Sequence, residues 1–512
     1  MSLVPYFNDL SFYSDPSAHK SRYASLVKSF KSNFPDDKIE FFARSPGRVN
    51  LIGDHIDYNY FPVLPMAIEV DVVAAVSTND SSFIIISNTD SDKFPQEKVA
   101  IGQDSDFVID REHHTWANYF KCGLIVAAKF LQEKSGEGKY KLKGMNITFS
   151  GIVPTGGGLS SSAAFCVAST LAVLHANGVK EISKADLTRI TVVSEHYLGL
   201  NNGGMDQCAS VYGEQGKALF IEFQPQLKGT PFEFPVKNLT FVITNSLQVS
   251  NKYETAPIHY NLRVVEMAIA GDLLAKKLGV EGKPGIARDS NVDTYSLRGV
   301  MEGYCGPWDG ENLKEGAAKL SKMIDVVSKT LTEKKGYTVE QCCKELGITA
   351  EEFHLKYLEK IPVKFDVLKL YQRSLHVYRE SLRVLQTLQL LSSPVEDESK
   401  FFQAFGSLMN ESQHDLDVLN ESSNSKLNEI CAIALDNGAY GSRVTGAGWG
   451  GSIVHLTSTE NLPRLTSSLI DTYYKREFPQ IKEEEIQEAV IDSKPATGSC
   501  LLSAEIIDKL VN

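Results

Sequence analysis

Four polar side chains lie within ten positions near the N-terminus and could bind or activate a polar ligand. They are Arg48, Asp54, His55 and Asp57, in ARSPGRVNLIGDHIDYNYFPVLP (43–65). Carboxylates and an imidazole can each hold a sugar hydroxyl by directional hydrogen bonds, so the pattern indicates a loop that binds a polyhydroxylated ligand. A solvated charged turn is the alternative interpretation, because charge runs are common on protein surfaces.

A further carboxylate follows two glycines in SEHYLGLNNGGMDQCASVYG (194–213). Glu195 lies in a predicted helix, and Gly203 and Gly204 come shortly before Asp206. Glycines beside a carboxylate allow a substrate to approach it closely. An N-cap or Asx turn, for which an aspartate after glycine is well suited, is the alternative.

The segment VPTGGGLSSSAAF (153–165) joins a predicted strand to a predicted helix. Free N–H groups and the positive end of a helix dipole favour a phosphate at such a junction, and glycines let the main chain approach it. The segment is neither a P-loop, which requires GxxxxGK[ST], nor a Rossmann fingerprint, because Ser161 stands where the last glycine would be. A tight turn with a serine N-cap is the structural alternative.

Hydrophobic periodicity predicts the elements that position these groups. Short β-rich runs alternate with helical stretches over 41–223, which indicates an α/β or α+β domain. A Pro/Gly-containing connector follows at 225–235, and long helices are predicted at 256–278 and 364–391. A final α/β section carries YGSRVTGAGWGGSIVHL (440–456).

Composition limits the classes of function. The 512 residues are 42% hydrophobic and 23% charged, with a net charge of −12. An acidic balance argues against direct binding to nucleic acid or to an anionic membrane surface. Eight cysteines without metal-ligand spacing indicate reduced thiols, and the N-terminus lacks the pattern of a signal peptide. We therefore expect a soluble cytoplasmic protein.

Four motifs in this order resemble the fungal-type galactokinases of the GHMP small-molecule kinase family: GRVNLIGDHIDY, VPTGGGLSSSAAF, NNGGMDQ and RVTGAGWGGS. The resemblance runs through nearly the whole chain. It implies a mixed α+β (α/β) GHMP-kinase fold of two domains with the active site in the cleft between them. We expect an N-terminal lead-in at 1–40 and domains at 41–224 and 236–512, the second with a helical insertion at about 280–400.

The resemblance also implies an activity, in which ATP phosphorylates the C1 hydroxyl of α-D-galactose as the first committed step of galactose catabolism. Asp206 would act as the base or orient the hydroxyl, and Arg48 beside it would favour the ionised carboxylate. The implied sugar contacts are Arg48, Asp54, His55, Asp57, Gly203, Asp206 and Tyr260. The implied nucleotide contacts are Trp116, near the adenine, and Pro154, Gly156, Gly157, Gly158, Leu159, Ser160, Ser161, Ser162 and Ala163. Ser162 and Glu195 would coordinate Mg²⁺ directly or through water, and Gly446–Gly451 would close the site.

One position departs from the family, where a glutamate is usual and this chain has Asp54. An aspartate is one methylene shorter, which reduces its reach by about 1.5 Å, so we expect weaker sugar binding with retained chemistry. Two alternatives stay open. One is a galactose and ATP sensor that binds a transcriptional repressor, although the complete SSSAA run of 160–164 favours a kinase. The other is a kinase of N-acetylgalactosamine.

Overall fold

The described chain contains a mixed seven-stranded β-sheet and an antiparallel four-stranded β-sheet. The computed structural model describes residues 2–101, 109, 115–136, 140–199, 203–248, 255–283, 285, 287–288 and 292–510. Its strands are β1 (Tyr6–Phe7), β2 (Phe41–Ile52), β3 (Leu64–Asn79), β4 (Phe83–Asn88), β5 (Glu97–Ala100), β6 (Gly144–Gly151), β7 (Lys217–Glu222), β8 (Lys228–Glu233), β9 (Leu239–Asn245), β10 (Gly441–Val444), β11 (Ser452–Ser458), β12 (Val490–Ser493) and β13 (Cys500–Ser503).

The larger sheet has the strand order β1-β13-β2-β3-β6-β4-β5, and the smaller one has the order β10-β11-β9-β12. Strands β7 and β8 form a separate two-stranded sheet. Strand β13, from near the C-terminus, pairs antiparallel with β2 and brings Cys500 opposite Arg44. Both ends of the chain therefore contribute to the larger sheet, while the predicted two-domain division stays a prediction.

The strand β2 carries Arg48 and is interrupted just before it. Every residue of β2 is buried. Its register against β3 shifts between Pro46 and Arg48, as expected where a proline removes a ladder N–H. The Arg48 N–H donates instead to the carbonyl of Leu159 at 3.1 Å. The irregular strand thus ties the glycine loop to the sheet.

The helices are α1 (Pro16–Asn33), α2 (Ala117–Ser135), α3 (Ser161–Ala176), α4 (Lys184–Thr191), α5 (Met205–Tyr212), α6 (Tyr260–Lys277), α7 (Leu297–Cys305), α8 (Leu313–Thr330), α9 (Val339–Leu346), α10 (Ala350–Phe353), α11 (Leu370–Leu391), α12 (Glu398–Val418), α13 (Ser425–Asp436), α14 (Leu462–Leu469), α15 (Lys475–Glu477), α16 (Glu483–Ala489) and α17 (Ile506–Leu510). Short 3-10 segments lie at Asp57–Asn59 and Glu195–Leu198, and π segments at His354–Leu358 and Ile470–Tyr474. In the described part of the chain, no helix combines the length and the apolar character needed to cross a bilayer.

The mixed α+β prediction is confirmed, and the two long predicted helices exist with later starts. The helix predicted from 256 begins at Tyr260, and the helix predicted from 364 begins at Leu370. The second starts late because Leu368 exchanges backbone hydrogen bonds with Tyr337 in an isolated bridge. Helix α11 packs against α6, α8 and α12, which buries the face that its amphipathic pattern predicts.

Candidate active site

An ion pair between Arg48 and Asp206 lies next to the glycine loop that precedes the N-terminus of α3. The Arg48 Nε and Nη2 atoms are each 2.7 Å from Asp206 Oδ1, and Nη1 donates to the carbonyl of Gly158 at 2.8 Å. The Arg48 side chain is 2% exposed, whereas that of Asp206 is 13% exposed. The guanidinium therefore fixes a carboxylate that still reaches the cavity, and it links that carboxylate to the glycine loop.

Two glycines allow Asp206 to occupy this position. Gly204 is the N-cap of α5 with φ of +99°, and Asp206 lies in the first turn of that helix, where the helix dipole favours an anion. A Cβ on Gly203 would lie 2.5 Å from Asp57 Oδ2. The glycines thus bring α5 close to the Asp57 carboxylate. The N-cap alternative is wrong, because Gly204 and not Asp206 occupies the N-cap position of α5; the Asx-turn alternative stays a prediction.

The segment 53–59 is a tight turn that points polar groups inward. Gly53 has φ of +110° and His55 has φ of +62°, a conformation that costs on the order of 1 kcal/mol for a residue with a Cβ. The His55 Nε2–H donates to the carbonyl of Ala447 at 2.9 Å, and Nδ1 forms a hydrogen bond with the Tyr58 hydroxyl at 3.0 Å. Asp54, His55 and Asp57 are all buried, so the alternative of a solvated charged turn is wrong.

The carboxylates of this turn lie in an anionic environment. Burial raises the pKa of Asp57 to about 7, and the neighbouring Asp206 and Asp54 carboxylates add to the increase. Burial also raises the pKa of Asp54, although the Arg443 and Arg48 guanidiniums oppose it. Asp54 accepts from Arg443 Nη2 at 2.8 Å and from the Gly446 N–H at 3.2 Å. The turn is therefore bound directly to the C-terminal glycine-rich segment.

These groups surround one cavity. Its lining comprises Arg48, Asp54, His55, Asp57, Glu195, Met205, Asp206, Tyr260, Gly446 and Ala447. The Tyr260 ring lies 5.5 Å from that of His55 and 5.8 Å from that of Tyr58, centroid to centroid. Residues separated by about 400 positions thus share a pocket lined mainly by charged and polar side chains, which suits a ligand with many hydroxyl groups.

The glycine loop meets another segment of main chain. A Cβ on Gly158 would lie 3.2 Å from the Thr445 carbonyl oxygen, and one on Gly446 would lie 2.5 Å from the Gly158 carbonyl oxygen. Ser452 Oγ donates to the Gly157 carbonyl at 2.5 Å. The glycines therefore also have a structural role, because the main chain of the C-terminal glycine-rich segment approaches closely here.

The start of α3 keeps features of an anion site. Ser160 is the N-cap with φ of +59°, but its side chain makes no capping hydrogen bond. Within the described residues, the buried Ser160 Oγ has no hydrogen-bond partner. The structural alternative is therefore right about the N-cap position of Ser160, but the side chain does not cap the helix, and a buried hydroxyl remains available beside the first N–H groups of the helix.

Trp116 packs near the first turns of α3. Its ring contacts those of Phe149 and Phe165, and its Nε1 donates to the Pro95 carbonyl at 2.9 Å. Phe165 is on α3, one turn after Ser161. An aromatic cluster thus lies against the helix whose N-terminus meets the glycine loop, while Trp116 is not part of the cavity lining.

Glu195 and Ser162 have the ligand types that Mg²⁺ prefers. Glu195 is 2% exposed, lines the cavity and accepts from Gln207 Nε2 at 2.9 Å. Ser162 lies in the first turn of α3. No cluster of three or more His, Cys, Asp and Glu side chains forms a metal site within the described ranges. Mg²⁺ bound with a nucleotide uses one or two protein oxygens together with phosphates and waters, so the residues present fit such an ion.

Sequence patterns did not point to Arg443, His376 or Glu380. Arg443 Nη1 donates to the Asn50 carbonyl at 2.7 Å, in addition to its pair with Asp54. His376 and Glu380 contact the main chain of Asp54 and Gly53. One signal was present in the sequence, because His376, Glu380 and Arg383 interrupt the apolar stripe of α11 at helical spacing.

Family models match three segments of the chain, and full-length relatives are similar to it throughout. The galactokinase galactose-binding signature matches residues 28–78, and the N-terminal and C-terminal domain models of GHMP kinases match 118–214 and 397–475. A Candida parapsilosis galactokinase is 82% identical over 98% of this chain and 98% of its own. A Saccharomyces cerevisiae galactokinase is 47% identical, with 98% of each chain covered.

Solved structures show the same fold. A Lactococcus lactis galactokinase complexed with galactose superposes with a TM-score of 0.68 at 20% identity, covering 93% of this chain and 99% of that one. A Methanococcus jannaschii mevalonate kinase gives a TM-score of 0.52 at 15% identity, covering 90% and 99%. At such identities the likeness concerns the fold alone.

Proposed function

The chain belongs to the galactokinase family, and we propose that it transfers the γ-phosphoryl group of ATP to the C1 hydroxyl of α-D-galactose, giving galactose 1-phosphate and ADP. The single observation that carries the proposal is the Arg48–Asp206 pair. It joins the polar cavity to the glycine loop at the N-terminus of α3. A sugar hydroxyl beside Asp206 and a phosphate beside Gly158 would be within reach of the same guanidinium.

In the proposed reaction the C1 oxygen attacks the γ-phosphorus and the bond to the β–γ bridging oxygen breaks. Asp206 accepts the hydroxyl proton, or orients that hydroxyl, and Arg48 offsets the charge that develops on the transferring group. The protein supplies mainly placement and charge neutralisation in such a transfer. The short contact between Arg48 and Gly158 supports this role, because it holds the guanidinium between the two substrates.

For the nucleotide, we propose that Gly156–Ser162 bind the phosphates and that Trp116 lies near the adenine. The partnerless Ser160 Oγ and the N-terminus of α3 support the phosphate assignment. Ser162 and Glu195 would hold Mg²⁺, which neutralises phosphate charge when bound. Tyr260, Gly203, Asp54, His55 and Asp57 would contact the sugar, with Asp57 close enough to Gly203 to exclude any side chain there.

Two alternatives remain distinguishable by experiment. A sensor would bind galactose and ATP and then a repressor protein without turnover, and a kinase of N-acetylgalactosamine would prefer that sugar. The galactokinase relatives favour the proposed phosphorylation of galactose over both alternatives. We also propose that the enzyme acts in the cytoplasm.

The test is release of ADP by the purified chain with Mg²⁺, ATP and galactose, compared with N-acetylgalactosamine. We expect kcat/KM to favour galactose and activity to require Mg²⁺. Absence of ADP above the sugar-free background, with galactose binding retained, would indicate the sensor. A higher kcat/KM for N-acetylgalactosamine would replace the proposed substrate.

A further inference from the structure

Helix α11 contacts the main chain of the sugar turn through two side chains one helical turn apart. His376 Nε2 donates to the Asp54 carbonyl at 3.0 Å, and the Gly53 N–H donates to Glu380 Oε1 at 2.8 Å. Both side chains are fully buried. Because positions i and i+4 lie on one helix face, α11 holds from one side the two peptide groups that flank the Gly53–Asp54 peptide group.

The held segment contains the backbone that most needs support. Gly53 and His55, on either side of Asp54, both have positive φ. A Cβ on Gly53 would lie 3.1 Å from Val384 Cγ2, which is also on α11. A turn in sparsely populated conformations persists only when surrounding contacts fix it. Helix α11 supplies these contacts without lining the cavity.

Glu380 also connects the turn to the C-terminal half of the chain. Its Oε2 accepts from Arg383 Nε at 2.9 Å, and its Oε1 accepts from Ser412 Oγ at 2.7 Å. Arg443 Nη2 lies 3.5 Å from Glu380 Oε1 and 2.8 Å from Asp54 Oδ2. One carboxylate therefore sets the position of the Gly53 peptide and of the guanidinium that holds the Asp54 side chain.

The charges around Glu380 are balanced in a way that keeps it ionised. Although burial opposes ionisation, the Arg383 and Arg443 guanidiniums hold the pKa of Glu380 at about 2. Burial lowers the pKa of His376 to about 4, so its ring is neutral at pH 7. A neutral ring whose Nε2 carries the proton is a fixed donor to the Asp54 carbonyl.

We propose that Glu380 and His376 are positioning residues for the sugar. They fix the Gly53–Asp54–His55 turn in the geometry that binds galactose, and they act through the main chain rather than by touching the substrate. This inference rests on the proposed galactokinase function.

The test compares Glu380→Gln and Glu380→Asp with the wild-type enzyme. Glu380→Gln removes the charge that aligns Arg443, and Glu380→Asp keeps the charge but withdraws it from the Gly53 N–H. We expect the KM for galactose, and the Kd measured without ATP, to rise about tenfold or more. The KM for ATP and the kcat at saturating galactose should stay within about threefold, because neither variant changes the phosphate loop or Asp206.

Asp71→Asn provides the matched control. Asp71 is also fully buried, is also paired with two arginines, and also has a pKa of about 2. It lies in β3, outside the cavity lining. A purely structural defect would lower the active fraction in both proteins, whereas only the Glu380 variants should raise the galactose KM and Kd.

The outcomes separate the inference from the function on which it rests. A wild-type enzyme that phosphorylates galactose while both Glu380 variants keep its galactose KM, or while Asp71→Asn raises it equally, overturns the positioning role alone. A wild-type chain that neither binds nor phosphorylates galactose overturns the proposed function as well. If Glu380→Gln does not fold, the milder Glu380→Asp still decides, because it retains the buried ion pairs.

Discussion

Two arginines on the same strand, β2, each pair with an aspartate from another element, and the two pairs have opposite surroundings. Arg44 pairs with Asp71, and that carboxylate also accepts from Arg22 and from the Tyr13 hydroxyl, each at 2.5 Å. Arg48 pairs with Asp206 beside two further carboxylates, Asp54 and Asp57. The first cluster has one carboxylate for two guanidiniums, whereas in the second Asp54, Asp57 and Asp206 line the cavity with Arg48. Arg443, which pairs with Asp54, is also 3.5 Å from Glu380.

This difference in charge balance separates a structural pair from a reactive one. Burial opposes ionisation of Asp71, but the two arginines hold its pKa at about 2. In the cavity, burial and neighbouring carboxylates raise the pKa of Asp57 to about 7. A carboxylate whose charge is balanced by neighbouring arginines stabilises the fold. A group of carboxylates with too few neighbouring cations instead favours the binding of cations or hydroxyl donors. A pKa that is strongly shifted by burial and by neighbouring charges is typical of functional sites.

The largest expected effect is on turnover, and it distinguishes Asp206 from Asp71. We expect Asp206→Asn to lower kcat by about 10³-fold or more, because the amide cannot accept the hydroxyl proton. Galactose binding measured by calorimetry should largely remain, since the amide oxygen still faces Arg48. Near-normal kcat in this variant would remove Asp206 from its proposed role and end the contrast with Asp71.

Asp71→Asn should show the complementary behaviour, with turnover retained and stability lost. Removing one partner of a buried pair leaves Arg22 and Arg44 uncompensated and costs about 3–5 kcal/mol. The folded pKa of about 2 is below the unfolded value of about 3.9. The stabilisation is therefore present above about pH 4 and is lost as the pH falls through about 2.

Chemical denaturation of both proteins across this pH range measures the effect. The stability difference between wild type and Asp71→Asn should shrink as the pH falls from about 5 to about 2. A difference that does not change with pH would contradict the assignment of Asp71 as the ionised centre of its cluster.

Sequence patterns predicted the residues of the cavity better than the buried cluster of Arg22, Arg44 and Asp71, for a physical reason. The groups around Arg48, Ser160 and Asp206 lie in local motifs with glycines, whose spacing indicates close approach. Nothing local marks Asp71 as the partner of Arg22 and Arg44, because that cluster forms only when α1, β2 and β3 meet. The pair between Arg443 and Asp54 spans 389 positions and is equally invisible in a local pattern.

A smaller effect should come from Asp57, as a dependence of stability on pH. The folded pKa of about 7 exceeds the unfolded value of about 3.9, so the folded state retains a proton that the unfolded state releases. The contribution of Asp57 to stability is then present below about pH 4 and is lost as the pH rises through about 7. Asp57→Asn removes this dependence, which amounts to at most about 2.7 kcal/mol over the two pH units from about 5 to about 7.

Thermal unfolding of wild type and Asp57→Asn between pH 5 and 8 gives the measurement. We expect the Tm of the variant minus that of the wild type to increase with pH over this interval. A constant offset would mean that Asp57 is already ionised in the folded protein, and the contrast in charge balance between the two clusters would fail at this position.

The smallest expected effect decides whether Asp54 is a sugar-binding carboxylate or a structural carboxylate like Asp71. Its carboxylate accepts from Arg443 and from the Gly446 N–H, as a structural carboxylate would, but it also lines the cavity. If it contacts sugar, Asp54→Glu extends its reach by about 1.5 Å and should lower the galactose KM by about threefold with kcat unchanged. Asp71→Glu adds the same methylene in the other cluster and should leave the KM unchanged. An unchanged KM in Asp54→Glu would instead make Asp54 a structural partner of Arg443, because only its distance to the sugar, and not its pairing, distinguishes it from Asp71.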